Sequence, residues 1–141
     1  MRSYALDDLS WPEVGRVLAR DPRLIVPVGA LEQHGPHLPL GTNTLVAQRV
    51  AAELSSRQGI LLAPVFPYGV TLGGGPWAGT AGLRRMTFHR AITVILGRWE
   101  DHGVKEFIVI TEHRYDPLLE AILLALTADS LTTVFDINQI D

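Results

Sequence analysis

Four strand-like segments, each separated from the next by a segment of helical character, constrain the fold of this chain more than any other feature. Three of them are short apolar runs, at residues 24–28, 60–66 and 107–110, and the fourth covers residues 131–135. Continuous apolar runs of this length are typical of strands that are buried on both faces of a sheet. The resulting order, β-α-β-α-β-α-β, predicts an α/β fold with a mostly parallel sheet and helices on both of its faces.

Capping and stop signals predict where the helices lie. Ser10 stands three residues before Glu13, which is a capping-box signature for a helix that runs to about residue 20. Thr87 is the predicted N-cap of a later helix. The remaining signals predict helices over residues 42–57, 87–102 and 116–126.

Length and composition limit the classes of function. The 141 residues, 47% of them hydrophobic, suffice for one domain, predicted to cover residues 1–141. The chain has no cysteine, which excludes disulfides and thiolate metal ligands. With 12 Lys and Arg against 15 Asp and Glu, the net charge of -3 argues against a nucleic-acid partner. No apolar run approaches a membrane span and the first residues do not resemble a signal peptide, so we expect a cytoplasmic protein with no membrane partner.

Polar residues follow two of the predicted strands. Ligands of parallel α/β sheets collect at the carboxyl ends of the strands. The loop after the first run contains Glu32 and His34 and extends to Asn43, and the loop after the third run begins with Glu112 and His113. Neighbouring parallel strands would bring His113 close to Glu32 and His34. Carboxylate and imidazole ligands of this kind suit zinc or manganese.

A plainer interpretation of the same residues stays open. Histidine and glutamate in surface loops are often only solvated polar residues. The cluster favours a metal or catalytic site because two separate strand ends deliver ligand types to the same predicted edge. Spacing alone does not decide between the two.

One segment is specific enough to suggest a family. Residues 26–40 read VPVGALEQHGPHLPL, which resembles the signature of the creatininase (creatinine amidohydrolase) family. Residues 67–69, followed by residues 79–80, resemble the second active-site loop of that family. Residues 107–110 and the following His113 correspond to a family strand and its loop. The resemblance extends over nearly the whole chain.

The resemblance implies a fold and an activity. Members of the family have a three-layer α/β fold and a two-metal centre, and they commonly form hexamers. They hydrolyse C–N bonds in small, often cyclic amides. By this resemblance Glu32, His34 and His113 are metal ligands, the partner is a small-molecule amide, and the chain forms a homo-oligomer.

The sequence also departs from the family pattern. Asn43 stands where the family has an aspartate that bridges both metals, and Tyr115 stands where the family has a further ligand. Family chains are longer and bring another glutamate from their C-terminal part, so we expect a shortened, divergent member. Asn43 remains a candidate metal ligand, but a neutral amide binds divalent cations weakly, which favours one ion, zinc before manganese, over two. Glu112 and His113 are then the candidate catalytic residues, with an exposed loop carboxylate as the alternative for Glu112.

Three aromatic residues are candidates for binding the substrate: Tyr68, Trp77 and Tyr115. For Trp77, packing in the core or in a lid is an equal alternative. The last predicted strand would leave a sheet edge that needs a partner, which also favours self-association. Besides the metal-dependent amidohydrolase, two alternatives remain: a catalytically degenerate relative that acts as a binding or assembly subunit, and a chain whose site is completed by another polypeptide.

Overall fold

The computed structural model describes residues 3–71, 76–112, 120, 122 and 131–136. A short 3-10 turn at Leu6–Asp8 precedes the regular elements. These are α1 (Trp11–Leu18), β1 (Arg23–Val28), α2 (Thr42–Gln58), β2 (Leu61–Leu62), α3 (Arg85–Asp101), β3 (Glu106–Thr111) and β4 (Leu131–Asp136).

The four strands form one parallel sheet in the order β2-β1-β3-β4. Side chains of β1 alternate between its two faces, as the strand period requires. Val26 packs in the same cluster as Phe88 and Ile92 of α3. Ile25 packs instead in a cluster with Ala51 of α2. Helices therefore cover both faces of a parallel sheet, which confirms the predicted α/β fold.

The second strand is shorter than the predicted residues 60–66. Ile25 pairs with Leu62, but Val28 pairs with Phe66, so three steps along β1 correspond to four steps along its neighbour. This one-residue offset is a bulge, and Pro64 lies within it. Prolines on both strands remove N–H donors here, since Pro27 of β1 also has none. The segment still follows β1, but only Leu61–Leu62 is a regular strand.

The prediction of Thr87 as an N-cap is wrong, because α3 begins at Arg85 with Arg84 as its N-cap. No side chain caps this terminus with a hydrogen bond. The chain just before the helix is held instead by a tertiary contact, in which the Leu83 N–H donates to the Gly69 carbonyl at 3.0 Å. Tertiary contacts of this kind override local capping preference.

The other helix predictions agree with the structure where it describes the residues. The Ser10 N–H donates to Glu13 Oε2 at 2.8 Å, as a capping box requires. Helix α2 ends at Gly59, whose φ of 69° is the left-handed conformation of a helix stop. The predicted helix over residues 116–126 lies outside the described residues except for Glu120 and Ile122, which are both helical.

An ion pair fixes the turn between α1 and β1. The guanidinium of Arg23 donates to both carboxylate oxygens of Asp21, at 2.8 and 2.7 Å. These hydrogen bonds hold the pKa of Asp21 below its ordinary value. The turn lies at the amino end of β1, away from the edge where the candidate residues leave the sheet.

Helix α2 begins directly against the end of β1. A Cβ atom added to Gly29 would lie 2.6 Å from the Cα atom of Thr44, closer than real Cβ atoms approach. The Thr44 hydroxyl donates to the Ala30 carbonyl at 3.2 Å and holds the same two segments together. Only glycine at position 29 allows this approach, which sets the position of Asn43 in the first turn of α2.

The described helices include none with the length and apolar character that crossing a membrane requires.

Gly29→Ala is expected to lower the free energy of unfolding by about 1–3 kcal/mol, because the added methyl group must push α2 away from β1. Gly15→Ala is the matched control: no atom lies within 4 Å of its added Cβ, and the residue is exposed in helix α1. That change is expected to raise the free energy of unfolding by about 0.5–1 kcal/mol. Urea denaturation measures both, and a Gly29→Ala protein as stable as the wild type would contradict the contact.

Candidate functional site

The strand register places several predicted site residues at one edge of the sheet. Val28, the last residue of β1, pairs with Thr111, the last residue of β3. The loops that follow these strands therefore leave the sheet side by side. Glu112, directly after β3, is half-buried. Strand β4 also ends here with Asp136, which pairs with Thr111 and was not singled out from the sequence.

Three polar side chains meet at this edge through direct hydrogen bonds. Asn43 Nδ2 donates to Glu32 Oε1 at 3.0 Å. His34 Nε2 lies 2.9 Å from Asn43 Oδ1. Asn43 is only 2% exposed, and Glu32 and His34 are half-buried. The structure thus brings together Glu32, His34 and Asn43, which the sequence predicted as metal ligands.

The orientation of the His34 ring is set by its other nitrogen. His34 Nδ1 lies 3.0 Å from the backbone carbonyl of Glu32. A carbonyl oxygen only accepts, so this contact is a hydrogen bond when Nδ1 carries the ring proton. Asn43 Oδ1 also only accepts, so a neutral ring donates to one of these two oxygens; with the proton on Nδ1, Nε2 directs a lone pair toward Asn43. This is the arrangement of histidine ligands in metal sites, where the second nitrogen donates to a carbonyl or a carboxylate.

The donor set at this edge suits a divalent cation. Glu32 offers a carboxylate oxygen, His34 offers Nε2, and Asn43 offers Oδ1, all within hydrogen-bond distance of one another or of a shared partner. Nitrogen and oxygen donors of this type fit zinc or manganese. In the tautomer with the proton on Nδ1, Nε2 and Oδ1 are two acceptors facing each other, and a cation bound to both would remove that repulsion. The residues present therefore fit a metal ion.

The set is incomplete within the described part of the chain. There, no three His, Cys, Asp or Glu side chains are grouped so that they could hold a metal ion. Glu32 and His34 supply two ligands of that kind, and Asn43 adds a neutral oxygen. His113 and Tyr115, also predicted for the site, lie outside the described residues.

A second loop, residues 76–83, runs beside the loop that carries Glu32 and His34. Leu31 and Ala81 form an antiparallel bridge, and the Gln33 N–H donates to Thr80 Oγ1 at 3.1 Å. Thr80 belongs to a motif of the family resemblance, residues 79–80, but the sequence predicts no role for it. Its contact joins residues 47 positions apart, which no local pattern reveals.

The two described aromatic candidates for substrate binding are exposed. Tyr68 is 50% exposed and Trp77 is 55% exposed. This exposure excludes core packing for Trp77 and leaves a pocket wall or a lid as its interpretations. Val70, two residues after Tyr68, forms an isolated parallel bridge with Leu83, the last residue of the second loop.

An apolar groove lies at the opposite end of the sheet. Its volume is about 610 Å³, and it is lined by residues that include Trp11, Leu24, Leu61 and Trp99. Leu24 and Leu61 are at the amino ends of β1 and β2. None of the predicted site residues that the structure describes lines it, so the described chemistry-bearing side chains and this groove are separate features.

Comparison with known proteins gives the same family from sequence and from structure. The sequence model of the creatininase family, described as creatinine amidohydrolase, matches residues 7–138. Creatinine amidohydrolase of Pseudomonas putida is 32% identical over 133 residues, which are 89% of this chain and 51% of that protein. A mycofactocin precursor peptide peptidase of Mycobacterium ulcerans is 38% identical over 71 residues, 44% of this chain and 28% of that protein.

Comparison with solved structures points to the same family as the sequence comparison. The crystal structure of creatinine amidohydrolase (creatininase) superposes with a TM-score of 0.86 at 27% identity and covers 96% of this chain and 58% of that one. Similar creatininase structures include a Zn–Zn form and a Mn form, with TM-scores of 0.81 and 0.82. The chain spans about half the length of the relatives it matches. Because the family model and a relative over 30% identical both extend along most of its length, the chain belongs to the creatininase family.

Proposed function

We propose that this chain is a creatininase-like, metal-dependent hydrolase that cleaves a C–N bond in a small amide, linear or cyclic. The observation that carries the proposal is the meeting of Glu32, His34 and Asn43 at the carboxyl edge of the sheet. Membership of an amidohydrolase family supports the reaction class. The names of the similar proteins, among them creatinine amidohydrolase, support an amide substrate.

In this proposal Glu32, His34 and Asn43 hold one divalent cation, with His113 as a further ligand. When bound, the cation supplies a Lewis acid that polarises the amide carbonyl and activates water. The hydrogen bond from His34 Nδ1 to the Glu32 carbonyl holds the ring so that Nε2 faces the ligand centre. Two histidines and one carboxylate form a known catalytic zinc set, so zinc is the proposed ion and manganese the alternative.

Charge favours one ion over two. A pair of divalent cations in a two-metal site lie about 3.5–4 Å apart and repel each other strongly unless carboxylates lie between them. Asn43 is neutral, and of the three meeting side chains only Glu32 brings a negative charge. We therefore propose a single ion at this edge.

Other residues take roles around the substrate. Glu112 is half-buried at the end of β3 and is proposed to accept a proton from the attacking water and to pass it to the leaving nitrogen, with His113 beside it. Tyr68, Trp77 and Tyr115 are proposed to contact the substrate. The exposed rings of Tyr68 and Trp77 offer apolar faces for a small planar amide.

One observation favours a second candidate function. The amide of Asn43 satisfies the Glu32 carboxylate through its own hydrogen bond, so the site needs no cation to compensate that group. A site that is stable without a cation is expected in a catalytically degenerate relative that acts as a binding or assembly subunit.

Localisation in the cytoplasm stays a prediction from the sequence.

Asn43→Asp is expected to raise the affinity for Zn²⁺ or Mn²⁺ by at least about tenfold, because it adds a negative charge at ligand distance. It is also expected to increase hydrolysis of creatinine or of small lactams. Isothermal titration with each metal measures the affinity, and chromatography of the products measures hydrolysis.

Asn43→Leu is the matched control, since its side chain has a similar size and no ligand atom. It is expected to bind metal at least about 10-fold more weakly than the wild type, the lower limit for losing even an outer partner of a metal site. Circular dichroism verifies that each variant is folded. If neither the wild type nor Asn43→Asp binds metal, the hydrolase proposal is wrong and the degenerate subunit replaces it.

We also propose that the chain forms a homo-oligomer through a sheet edge. Strand β4 lies at one edge of the described sheet, and an unpaired edge is a site for pairing with another chain. Light scattering at high micromolar concentration is expected to give a multiple of 15.5 kDa.

Thr133→Lys, at an exposed position of β4, is expected to weaken this association, because charged side chains block edge pairing. Gln58→Lys makes the same charge change at the exposed end of α2 and is expected to leave the assembly unchanged. A wild-type mass of one chain would contradict the proposal, and equal masses of wild type and Thr133→Lys would exclude the β4 edge.

A further inference from the structure

The backbone that carries Glu32 is held by hydrogen bonds on two sides. On one side the Glu32 N–H donates to the Leu40 carbonyl at 3.1 Å. On the other side the second loop provides two partners. The Ala81 N–H donates to the Leu31 carbonyl at 3.0 Å, and Thr80 Oγ1 accepts from the Gln33 N–H at 3.1 Å.

The hydroxyl of Thr80 takes a place that a backbone carbonyl would occupy in a regular ladder. Leu31 and Ala81 are bridged antiparallel, so the next pair along the ladder would be Gln33 and Gly79. Gly79 has a φ of 85°, and the chain turns away from the ladder there. The Gln33 N–H is bonded by the side chain of Thr80 instead, so this contact depends on which residue stands at position 80.

Gly79 is itself held in place. A Cβ atom added there would collide with Cδ1 of Leu40, whose backbone carbonyl bonds to Glu32. The left-handed φ requires glycine, whereas the tip of the Leu40 side chain could move aside. Thr80 is therefore presented to Gln33 from a turn that packs against the same loop it contacts.

A planar peptide group connects Thr80 to His34. The carbonyl of Glu32 and the N–H of Gln33 belong to one peptide unit, whose atoms lie close to a plane with the two groups pointing in opposite directions. When Thr80 fixes the direction of the Gln33 N–H, it also fixes the direction of the Glu32 carbonyl. That carbonyl is the acceptor for His34 Nδ1 at 3.0 Å.

We propose that Thr80 is a positioning residue for the metal ligand His34. Through the Glu32–Gln33 peptide, its hydroxyl directs the Glu32 carbonyl at Nδ1 of His34, which favours the tautomer with the proton on Nδ1 and keeps Nε2 directed at Asn43 and the ligand centre. Outer hydrogen bonds of this kind fix the tautomer and the orientation of histidine ligands. The effect on metal affinity rests on the proposed function, whereas the effect on the ring does not.

The test compares Thr80→Val, which keeps the shape and removes the hydroxyl, with Thr80→Ser, which keeps the hydroxyl. Thr93→Val is the control, because it removes a hydroxyl that bonds only to the His89 carbonyl within α3. The two readouts are the Zn²⁺ dissociation constant and the ¹⁵N NMR shifts of the His34 ring nitrogens in the metal-free protein.

Thr80→Val is expected to weaken Zn²⁺ binding by about 3- to 10-fold, the factor that corresponds to one hydrogen bond. It is also expected to lower the fraction of His34 that is protonated on Nδ1, because the Glu32 carbonyl is then held less firmly against that nitrogen. Thr80→Ser is expected to keep the Zn²⁺ affinity and the His34 ring shifts close to those of the wild type. Thr93→Val is expected to match the wild type in both measurements.

Wild-type ring shifts and wild-type affinity in Thr80→Val would overturn the inference, and so would a Thr80→Ser protein as impaired as Thr80→Val. If the wild type binds no Zn²⁺, the proposed function fails, and the ring shifts alone then decide the role of Thr80. If Thr80→Val does not fold, Thr80→Ala replaces it with the same two readouts and the same expected result.

Discussion

The close approach of Gly29 to Thr44 determines how the end of β1 meets the start of α2. Without a side chain on Gly29, the first turn of the helix lies against the residues that leave the strand. Asn43 is buried in that turn, and it reaches both Glu32 and His34 from there. A single backbone contact at the edge of the sheet therefore brings together side chains that are up to eleven residues apart in sequence.

The chemistry of the site depends on what the Asn43 amide does between its two neighbours. Its nitrogen compensates the carboxylate of Glu32, and its oxygen faces the ring of His34. A cation entering this centre would have to replace the first contact and would gain the lone pair of Nε2. An aspartate at this position could not donate to Glu32, and its charge would repel that carboxylate unless a cation lay between them. Compared with an aspartate, Asn43 thus binds a metal ion more weakly, and through its hydrogen bond to Glu32 it stabilises the metal-free arrangement.

Much of the fold could be predicted because the apolar runs are long enough to be buried on both faces. The parallel sheet, the capping box of α1 and the glycine stop of α2 all follow from local sequence. The start of α3 could not be found in this way, since a contact between Leu83 and the distant Gly69 holds it and Thr87 has no capping role. The short β2 reflects prolines on both strands, whose effect on register depends on how the strands pair.

In the candidate site, too, some residues could be predicted from the sequence and others could not. Glu32 and His34 were predicted from their spacing after a buried strand, and Asn43 because it stands where the resembling family has a bridging aspartate. Thr80 was missed as a positioning residue because its contact with Gln33 crosses 47 positions and uses one hydroxyl. The single domain over residues 1–141 and the roles of His113 and Tyr115 stay predictions.

The central claim is that Glu32, His34 and Asn43 form the centre of a site for one divalent cation. X-ray diffraction from crystals grown with Zn²⁺, collected at the zinc absorption edge, tests it most directly. The account predicts one anomalous peak within about 2.0–2.2 Å of His34 Nε2 and of a Glu32 carboxylate oxygen. A map without a peak there, with the Asn43 amide still bonded to Glu32, would contradict it.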